Sequence, residues 1–276
     1  MEKGLQTLLN SHGIMLKKAY GQNFLTDATL LKGIVAKAGL SENDSVLEIG
    51  CGAGALTKEL ADCVKTVYGY EIDARLKPVL QETLAGKDNV KLFFKDVMKE
   101  SVEETEKIIG GDYVIVANLP YYITTPLIMR FLEKAKNVKR LVIMVQEEVA
   151  LRLAAKPADS DYGAITVGVN LRGSASIIER VGREKFSPSP NVDSAVVRID
   201  IDREKFNGVN LDRVRDVVRA AFSGRRKMLA NNLINVYKMT RVEAENALSR
   251  AGINLTARGE TLSAEDFVRL TEIIYG

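Results

Sequence analysis

The sequence predicts an α/β protein in which a largely parallel sheet carries helices on both faces and a small all-helical domain follows. Between residues 45 and 145, short β-rich runs alternate with helical stretches, the order typical of a parallel sheet. Beyond residue 202 the strand signal ends and only helical patterns remain. We therefore predict two domains, residues 1–202 and residues 203–276, in a chain whose 46% hydrophobic content suffices for a buried core.

The predicted elements of the first domain begin with a helix over 27–39, capped by Thr26 or Asp27 and ended by Gly39. Strand character follows in these runs: 46–49, 66–71, 90–94, 113–117 and 141–145. Helical periodicity occupies the stretches 56–62, 74–84 and 126–134, and later 146–155 and 162–171. Strands over 176–181 and 195–201 are expected to close the sheet as a hairpin-like pair. The second domain is predicted to contain amphipathic helices over 211–222, 227–237, 241–251 and 264–275.

Scarce residue types exclude several classes of enzyme. The chain has one histidine, His12, so a Ser-His-Asp triad or a histidine-rich zinc site would depend on that residue, and we predict no metal site. Cys51 and Cys63 are too few for a disulfide framework, and we expect both to be reduced. No apolar run approaches the ~20 residues that span a bilayer, and the start of the chain lacks a signal-peptide pattern. We therefore expect a cytoplasmic protein without a membrane partner.

A strand that runs into a glycine-rich turn indicates a nucleotide-type site near residue 50. The segment 46–54 reads VLEIGCGAG, and glycines such as Gly50 and Gly52 would let the backbone approach a ligand closely. Glu71 ends the next predicted strand, where its carboxylate could accept hydrogen bonds from two ribose hydroxyls. Asp96 follows the third strand, at the same edge of the sheet. The alternative to a ligand site is an ordinary tight turn beside surface carboxylates. This alternative is disfavoured because the glycine turn, Glu71 and Asp96 each lie at the end of a predicted parallel strand.

The spacing of the glycines distinguishes between two classes of cofactor-binding site. A dinucleotide site has the pattern G-x-G-x-x-G, whereas this turn has G-x-G-x-G preceded by Glu48. That pattern resembles the S-adenosylmethionine (SAM) site of the seven-stranded, Rossmann-like methyltransferases, a fold that also has a terminal strand pair. The resemblance implies SAM as the cofactor, and NAD remains the alternative.

The segment Asn118-Leu119-Pro120-Tyr121 follows the fourth strand, at the edge where the cofactor is expected. An exocyclic amine is a poor nucleophile because its lone pair is delocalised into the ring. The Asn118 side-chain carbonyl and the Leu119 backbone carbonyl could accept its two hydrogens, favour a pyramidal nitrogen and aim the lone pair at the methyl sulfonium. Pro120 restricts the local backbone, and Tyr121 offers a face on which a flipped-out base can stack. An ordinary β-turn is the alternative for these residues taken alone.

Nearly the whole chain resembles the ribosomal RNA adenine N6-dimethyltransferases, on the basis of several separated motifs. Residues 17–25 read KKAYGQNFL, like the opening motif of that family, 118–121 read NLPY, and 186–194 read FSPSPNVDS, like its late loop. The resemblance implies these cofactor contacts: Asn23, Leu25, Gly50, Glu71, Asp96 and Asn118. It also implies that Tyr121 and Phe186 enclose the target adenine between their rings.

Positive charge is concentrated at the start of the second domain. Between residues 213 and 227 the chain has six basic residues and one acidic residue, Asp216. Such a concentration beside a base-accepting pocket is an electrostatic footprint for RNA phosphates. We predict RNA contacts from this cluster and from a basic edge near the cofactor: Arg219, Arg225, Arg226, Lys227, Lys17 and Lys18. A solvated helix face is the usual alternative for a run of charges.

These features together predict a SAM-dependent enzyme that dimethylates the N6 amines of adenines in small-subunit ribosomal RNA. The resemblance implies two adjacent adenines in the hairpin loop near the 3′ end, with the small ribosomal subunit or its precursor as substrate and a role in subunit biogenesis. We expect the enzyme to be a monomer. Two alternatives stay open: an Erm-type methyltransferase acting on one adenine of large-subunit RNA, and a non-catalytic ribosome assembly factor.

Overall fold

A computed structural model of the chain describes residues 2–14, 24–25, 27–224 and 226–276. These residues divide into two units, one drawn from Met1–Ala150 with Ser176–Ile201 and the other from Leu151–Ala175 with Asp202–Gly276. The second unit therefore includes residues 151–175, which we predicted as part of the first domain.

The strands are β1 (Phe24–Leu25), β2 (Ser45–Ile49), β3 (Thr66–Tyr70), β4 (Val90–Phe93), β5 (Tyr113–Asn118), β6 (Val138–Gln146), β7 (Gly173–Val181), β8 (Phe186–Ser187) and β9 (Ser194–Ile201). The helices as far as residue 154 are α1 (Glu2–Ser11), α2 (Ala28–Lys37), α3 (Ala55–Ala61), α4 (Lys77–Thr83), α5 (Val102–Ile109), α6 (Tyr121–Lys134) and α7 (Glu147–Ala154). The later helices are α8 (Ala164–Asn170), α9 (Leu211–Phe222), α10 (Leu229–Tyr237), α11 (Arg241–Arg250) and α12 (Ala264–Tyr275).

Among the described residues, seven strands form one sheet in the order β4-β3-β2-β5-β6-β9-β7. The strands from β4 to β6 in this order are parallel, and β9 is antiparallel to β6, with Val196 opposite Met144. The predicted seven-stranded α/β fold is thus confirmed, including the late pair β7 and β9 at one end of the sheet. Because the parallel strands share one direction, the loops after β2, β3, β4 and β5 meet at the same edge, where open α/β sheets bind ligands.

The two central strands are buried along almost their whole length. Four of the five residues of β2 and five of the six residues of β5 are buried. On one face, Val46 and Val114 pack in a cluster with Ile34 of α2 and Leu60 of α3. Helices on both faces explain why these strands are continuous apolar runs rather than alternating ones.

Two helices of the first unit were not predicted, α1 and α5, and α6 is longer than predicted. α5 begins with a capping box, in which the side chains of Ser101 and Glu104 each accept a hydrogen bond from the backbone N–H of the other residue. The sequence contains the S-x-x-E pattern that is typical of this cap. α6 begins at Tyr121 instead of residue 126 because Pro120 occupies the N-cap with φ −54° and the Thr124 hydroxyl donates to the Pro120 carbonyl at 3.2 Å.

The second unit has a core of its own, to which α8, α9, α10 and α12 contribute Val167, Val217, Leu233 and Phe267. Tyr162 is fully buried in the same core and donates its hydroxyl hydrogen to the Leu262 carbonyl at 2.7 Å. These contacts explain why residues 151–175 group with the C-terminal helices, although they precede two strands of the sheet.

Candidate active site

The loops that follow β2, β3, β4 and β5 surround a cavity of ≈ 520 Å³ in the first unit. The loops after β2, β3 and β4 contribute the predicted cofactor residues Gly50, Glu71 and Asp96, and the end of β5 contributes Asn118. A cavity of this volume lies within the range of ~300–1,000 Å³ that is usual for small-molecule sites. The shared sheet edge therefore brings together residues that are far apart in the sequence.

Backbone conformation and crowding explain two glycines of the turn after β2. Gly50 has φ +81° and Gly52 has φ +56°, in the region that favours glycine. A Cβ on Gly50 would lie 3.3 Å from Leu119 Cδ2 and 3.4 Å from the Asn118 carbonyl oxygen. A Cβ on Gly52 would lie 2.9 Å from Cε1 of the Phe24 ring. The turn therefore packs against the end of β5 on one side and against β1 on the other.

Glu71 holds the glycine turn through backbone hydrogen bonds. Its Oε2 accepts from Gly52 N and its Oε1 accepts from Asp73 N, each at 2.8 Å, and the residue is 5% exposed. Burial raises the pKa of Glu71, and the two N–H donors oppose this shift. Because each carboxylate oxygen can accept more than one hydrogen bond, Glu71 retains acceptor capacity for the hydroxyls of a ribose.

Glu48, in β2 just before the glycine turn, is a second and fully buried carboxyl group. Neither of its carboxyl oxygens has a hydrogen-bond partner in the part of the chain that the structure describes. Desolvation raises the pKa of Glu48 to about 7, and the nearby Thr57 and Cys51 side chains oppose the shift without reaching hydrogen-bonding geometry. Burial also raises the pKa of the Cys51 thiol, so this cysteine is protonated and unreactive near neutral pH.

The NLPY segment connects β5 to α6 at the wall of the cavity. Asn118 is the last residue of β5, Tyr121 is the first residue of α6, and the whole segment lines the cavity. The Tyr121 hydroxyl lies 2.8 Å from Ser194 Oγ at the start of β9. This hydrogen bond holds the half-buried Tyr121 ring in place, and burial raises the pKa of its hydroxyl, which therefore stays neutral.

Phe186, the second aromatic residue predicted at the target base, is 5% exposed and lines the same cavity. It belongs to β8, which pairs antiparallel with β1 so that Phe186 lies opposite Leu25. An ion pair of 2.9 Å between Lys185 Nζ and Asp27 Oδ2 lies beside this pairing. The two-stranded sheet therefore connects the predicted base-stacking residue to the segment predicted to contact the cofactor.

One cavity thus collects all the predicted cofactor and catalytic residues that the structure describes: Leu25, Gly50, Gly52, Glu71, Asp96, Asn118, Leu119, Pro120, Tyr121 and Phe186. The other predicted residues of the first domain, Lys17, Lys18 and Asn23, lie outside the described residues, as does Arg225.

Sequence reasoning missed many of the side chains that line this cavity, among them Phe24, Ile72 and Tyr122. Each of these three is adjacent in the chain to a predicted site residue, and this adjacency was the available signal. Their lining role could not be assigned from the motifs, because the direction of a neighbouring side chain depends on the local backbone.

The described cations of the predicted RNA-binding cluster are at the surface of the second unit. Arg226 and Lys227 are exposed in the turn between α9 and α10. Arg219 of α9 has 70% of its side chain exposed and makes a 3.1 Å contact with Asp216. Solvent-exposed cations of this kind are available to phosphate groups.

Within residues 2–14, 24–25, 27–224 and 226–276, no three histidine, cysteine, aspartate or glutamate side chains are grouped so that they could hold a metal ion. The single histidine makes a contact of 2.9 Å between its Nε2 and Glu82 Oε2. The same described residues contain no helix with the length and apolar character to cross a membrane.

A family model described as ribosomal RNA adenine dimethylase matches residues 13–275. This chain belongs to the ribosomal RNA adenine dimethylase family. It is 44% identical over 276 residues to the ribosomal RNA small subunit methyltransferase A of Anoxybacillus flavithermus, with 97% of this chain and 93% of that protein covered. A protein of the same name from Enterococcus faecalis is 42% identical, with the same two coverages of 97% and 93%.

Two solved structures share the fold of this dimethylase family member over most of its length. A dimethyladenosine transferase from Plasmodium falciparum has a TM-score of 0.77 and 27% identity, covering 90% of this chain and 95% of that chain. The 23S rRNA methyltransferase ErmE has a TM-score of 0.72 and 31% identity, covering 92% of this chain and 100% of that chain. Family membership makes the chain a SAM-dependent methyltransferase, which decides against the NAD alternative.

Proposed function

We propose that this methyltransferase dimethylates the N6 amines of two adjacent adenines in the hairpin loop near the 3′ end of small-subunit ribosomal RNA, and thereby contributes to subunit biogenesis. The observation that carries the proposal is a single cavity that joins the glycine turn to the Asn118-Leu119 acceptors and to the rings of Tyr121 and Phe186. The relatives at 42–44% identity, both named small subunit methyltransferase A, support the choice of subunit.

The residues around the cavity fit SAM, which supplies an electrophilic methyl group on its sulfonium. The positive φ of Gly50, which glycine adopts without strain, would leave backbone space for the methionine part, and the Glu71 carboxylate would accept hydrogen bonds from the ribose hydroxyls. Asp96 and Leu25 also line the cavity, where Asp96 would accept a hydrogen bond from the adenine amine and Leu25 would provide an apolar contact. We propose Asn23 as a further contact. The sulfonium already activates the methyl group, so the proposed reaction requires no metal ion.

The side chain of Asn118 and the carbonyl of Leu119 orient the target amine. They accept its two hydrogens, which favours a pyramidal nitrogen with its lone pair directed at the methyl group. Tyr121 and Phe186 hold the adenine ring between them, and Pro120 restricts the backbone that carries the acceptors. In the second transfer the amine has only one hydrogen left, so a single acceptor orients it.

The alternatives differ from this proposal in the RNA that becomes labelled. The experiment combines the enzyme with radiolabelled SAM and ribosomal subunits from a strain that lacks the small-subunit modification, and then maps the labelled nucleotide. We expect dimethyladenine in small-subunit RNA. Label only in large-subunit RNA would favour the Erm-type alternative, and SAM binding without label in either RNA would favour the assembly factor.

We propose that the basic cluster of the second unit binds RNA phosphates. Replacing Arg225, Arg226 and Lys227 together with alanine should weaken binding of the small subunit and flatten its salt dependence. Each phosphate contact contributes roughly 0.7–0.9 to the slope of log K against log salt, so the loss of three contacts should make the slope shallower by about 2–3. Filter-binding titrations at several salt concentrations measure this change.

A variant of equal charge change provides the control for this prediction. Lys65, Lys107 and Lys136 are exposed in the first unit and lie near the amino ends of parallel strands, away from the edge that forms the cavity. Their triple alanine variant should keep the wild-type slope. Equal slopes for the cluster variant and the wild type would assign the cluster to an ordinary solvated surface.

We propose that the enzyme acts as a monomer in the cytoplasm, where ribosomal subunits assemble. The described residues that we assign to cofactor and base line a single cavity of the first unit, which supports a site that needs no second copy of the chain.

A further inference from the structure

Tyr122 differs from the other aromatic residues of the cavity in its exposure. It lines the cavity together with Tyr121 and Phe186, yet it is 67% exposed, whereas Phe186 is 5% exposed and Tyr121 is half-buried. A side chain that both lines a cavity and is mostly exposed lies at its mouth. Tyr122 therefore marks the point where a substrate passes from solvent into the site.

The position of Tyr122 in α6 explains this difference. Tyr121 and Tyr122 are the first two residues of the helix, and successive side chains of an α-helix leave its axis about 100° apart. The hydroxyl of Tyr121 is held by Ser194 at 2.8 Å, which fixes one of the two rings at the cavity wall. The ring of its neighbour consequently projects from a rigid helix start at the rim, as a binding platform rather than as part of the core.

The proposed reaction creates a need for such a platform. A base that enters the cavity leaves its stack in the RNA loop, and the nucleotide next to it loses a stacking partner. Exposed aromatic side chains are the usual replacement, because every base has a π-face. If two adjacent adenines are methylated, the neighbour of the target is a purine in both transfers and offers a large face.

We propose that Tyr122 forms a second base subsite, in which its ring stacks on the nucleobase adjacent to the adenine inside the cavity. This inference rests on the proposed function and adds a residue that binds and positions the nucleotide next to the target. Tyr122 acts by binding and positioning RNA, and it takes no part in cofactor binding.

The first test compares Tyr122→Ala with the wild type in methylation of small subunits. Base stacking on an aromatic ring contributes enough that the KM for the subunit should rise by about 10-fold or more, with kcat changing less. The affinity for SAM, measured by isothermal titration, should stay within about 2-fold, since the alanine side chain perturbs only the mouth. Tyr122→Phe should behave as wild type, whereas Tyr122→Leu, which is apolar without a planar ring, should resemble the alanine variant.

A matched control and an altered substrate separate stacking from general damage. Ile108→Ala shortens another exposed apolar side chain of the first unit that does not line the cavity, and it should leave the KM unchanged. Subunits reconstituted with an abasic nucleotide next to the target should be poorer substrates for the wild type and equally poor for Tyr122→Ala. If the KM values of the wild type and of Tyr122→Ala no longer differ on the abasic substrate, the neighbouring base is the partner of the Tyr122 ring.

The outcomes distinguish this inference from the proposed function. If the wild type methylates small subunits and Tyr122→Ala has the same KM, the subsite is refuted while the function stands. A KM increase that persists on the abasic substrate would equally refute stacking on the neighbouring base. Absence of methylation by the wild type would reject the proposed function, and the subsite with it.

Discussion

Asn118→Ala is expected to reduce methyl transfer by at least about 100-fold, the usual loss when a preorganised group aimed at the reacting centre is removed. Without the side-chain carbonyl, the amine of the target keeps its lone pair delocalised in the ring and is not directed at the methyl group. The glycine turn and Glu71 are unchanged in this variant, so SAM binding should largely persist. Single-turnover transfer and calorimetric titration with SAM measure the two effects separately.

The conservative variant Asn118→Asp is the control for the role of the acceptor. It keeps the shape and an acceptor oxygen at the end of β5, so it should lose less activity than the alanine variant. If Asn118→Ala transferred methyl groups at close to the wild-type rate, the proposed role of Asn118 would be wrong.

Glu48→Gln is expected to stabilise the protein above neutral pH. Burial raises the pKa of Glu48 to about 7, from an ordinary value of 4.5. Between these two values the folded state keeps a proton that the unfolded state has lost, so the free energy of unfolding falls as the pH rises through this window. The decrease is about 1.4 kcal/mol per pH unit, or roughly 3 kcal/mol in total, and it ends above the folded-state pKa.

A glutamine side chain has no titratable proton, so this contribution to the pH dependence should vanish in the variant. At pH 8 we expect Glu48→Gln to exceed the wild type in free energy of unfolding by up to about 3 kcal/mol, and at pH 5 by much less. Urea denaturation at a series of pH values measures this difference. The exposed Glu42→Gln should follow the wild type, and a Glu48→Gln curve parallel to the wild type would contradict the assigned pKa.

The fold and the place of the site could be predicted from local sequence. β2 and β5 are continuous apolar runs because both of their faces are buried, and such runs alternate with helices along the chain. The glycine turn and the NLPY segment each carry their chemistry within a few residues. The predictions of a seven-stranded α/β fold and of a dimethylase family member are therefore confirmed, while the roles of individual site residues stay predictions.

Other features depended on contacts between distant segments. β1 and β8 have two residues each, too few for any periodicity, and only their pairing places Phe186 opposite Leu25. Residues 151–175 group with the C-terminal helices because Tyr162 is buried in that core, a preference that their helical pattern does not encode.

By itself, the sequence determined the order of the elements, the strand ends that carry Gly50, Glu71 and Asn118, and the chemistry that these residue types allow. Only the tertiary structure decided which atoms are desolvated, and hence that Glu48 has a raised pKa. It also decided that Tyr121 is held inward by Ser194 while the adjacent Tyr122 stands at the mouth. The physical reason is that periodicity and motifs report local backbone preferences, whereas burial and side-chain direction arise from packing between segments distant in the chain.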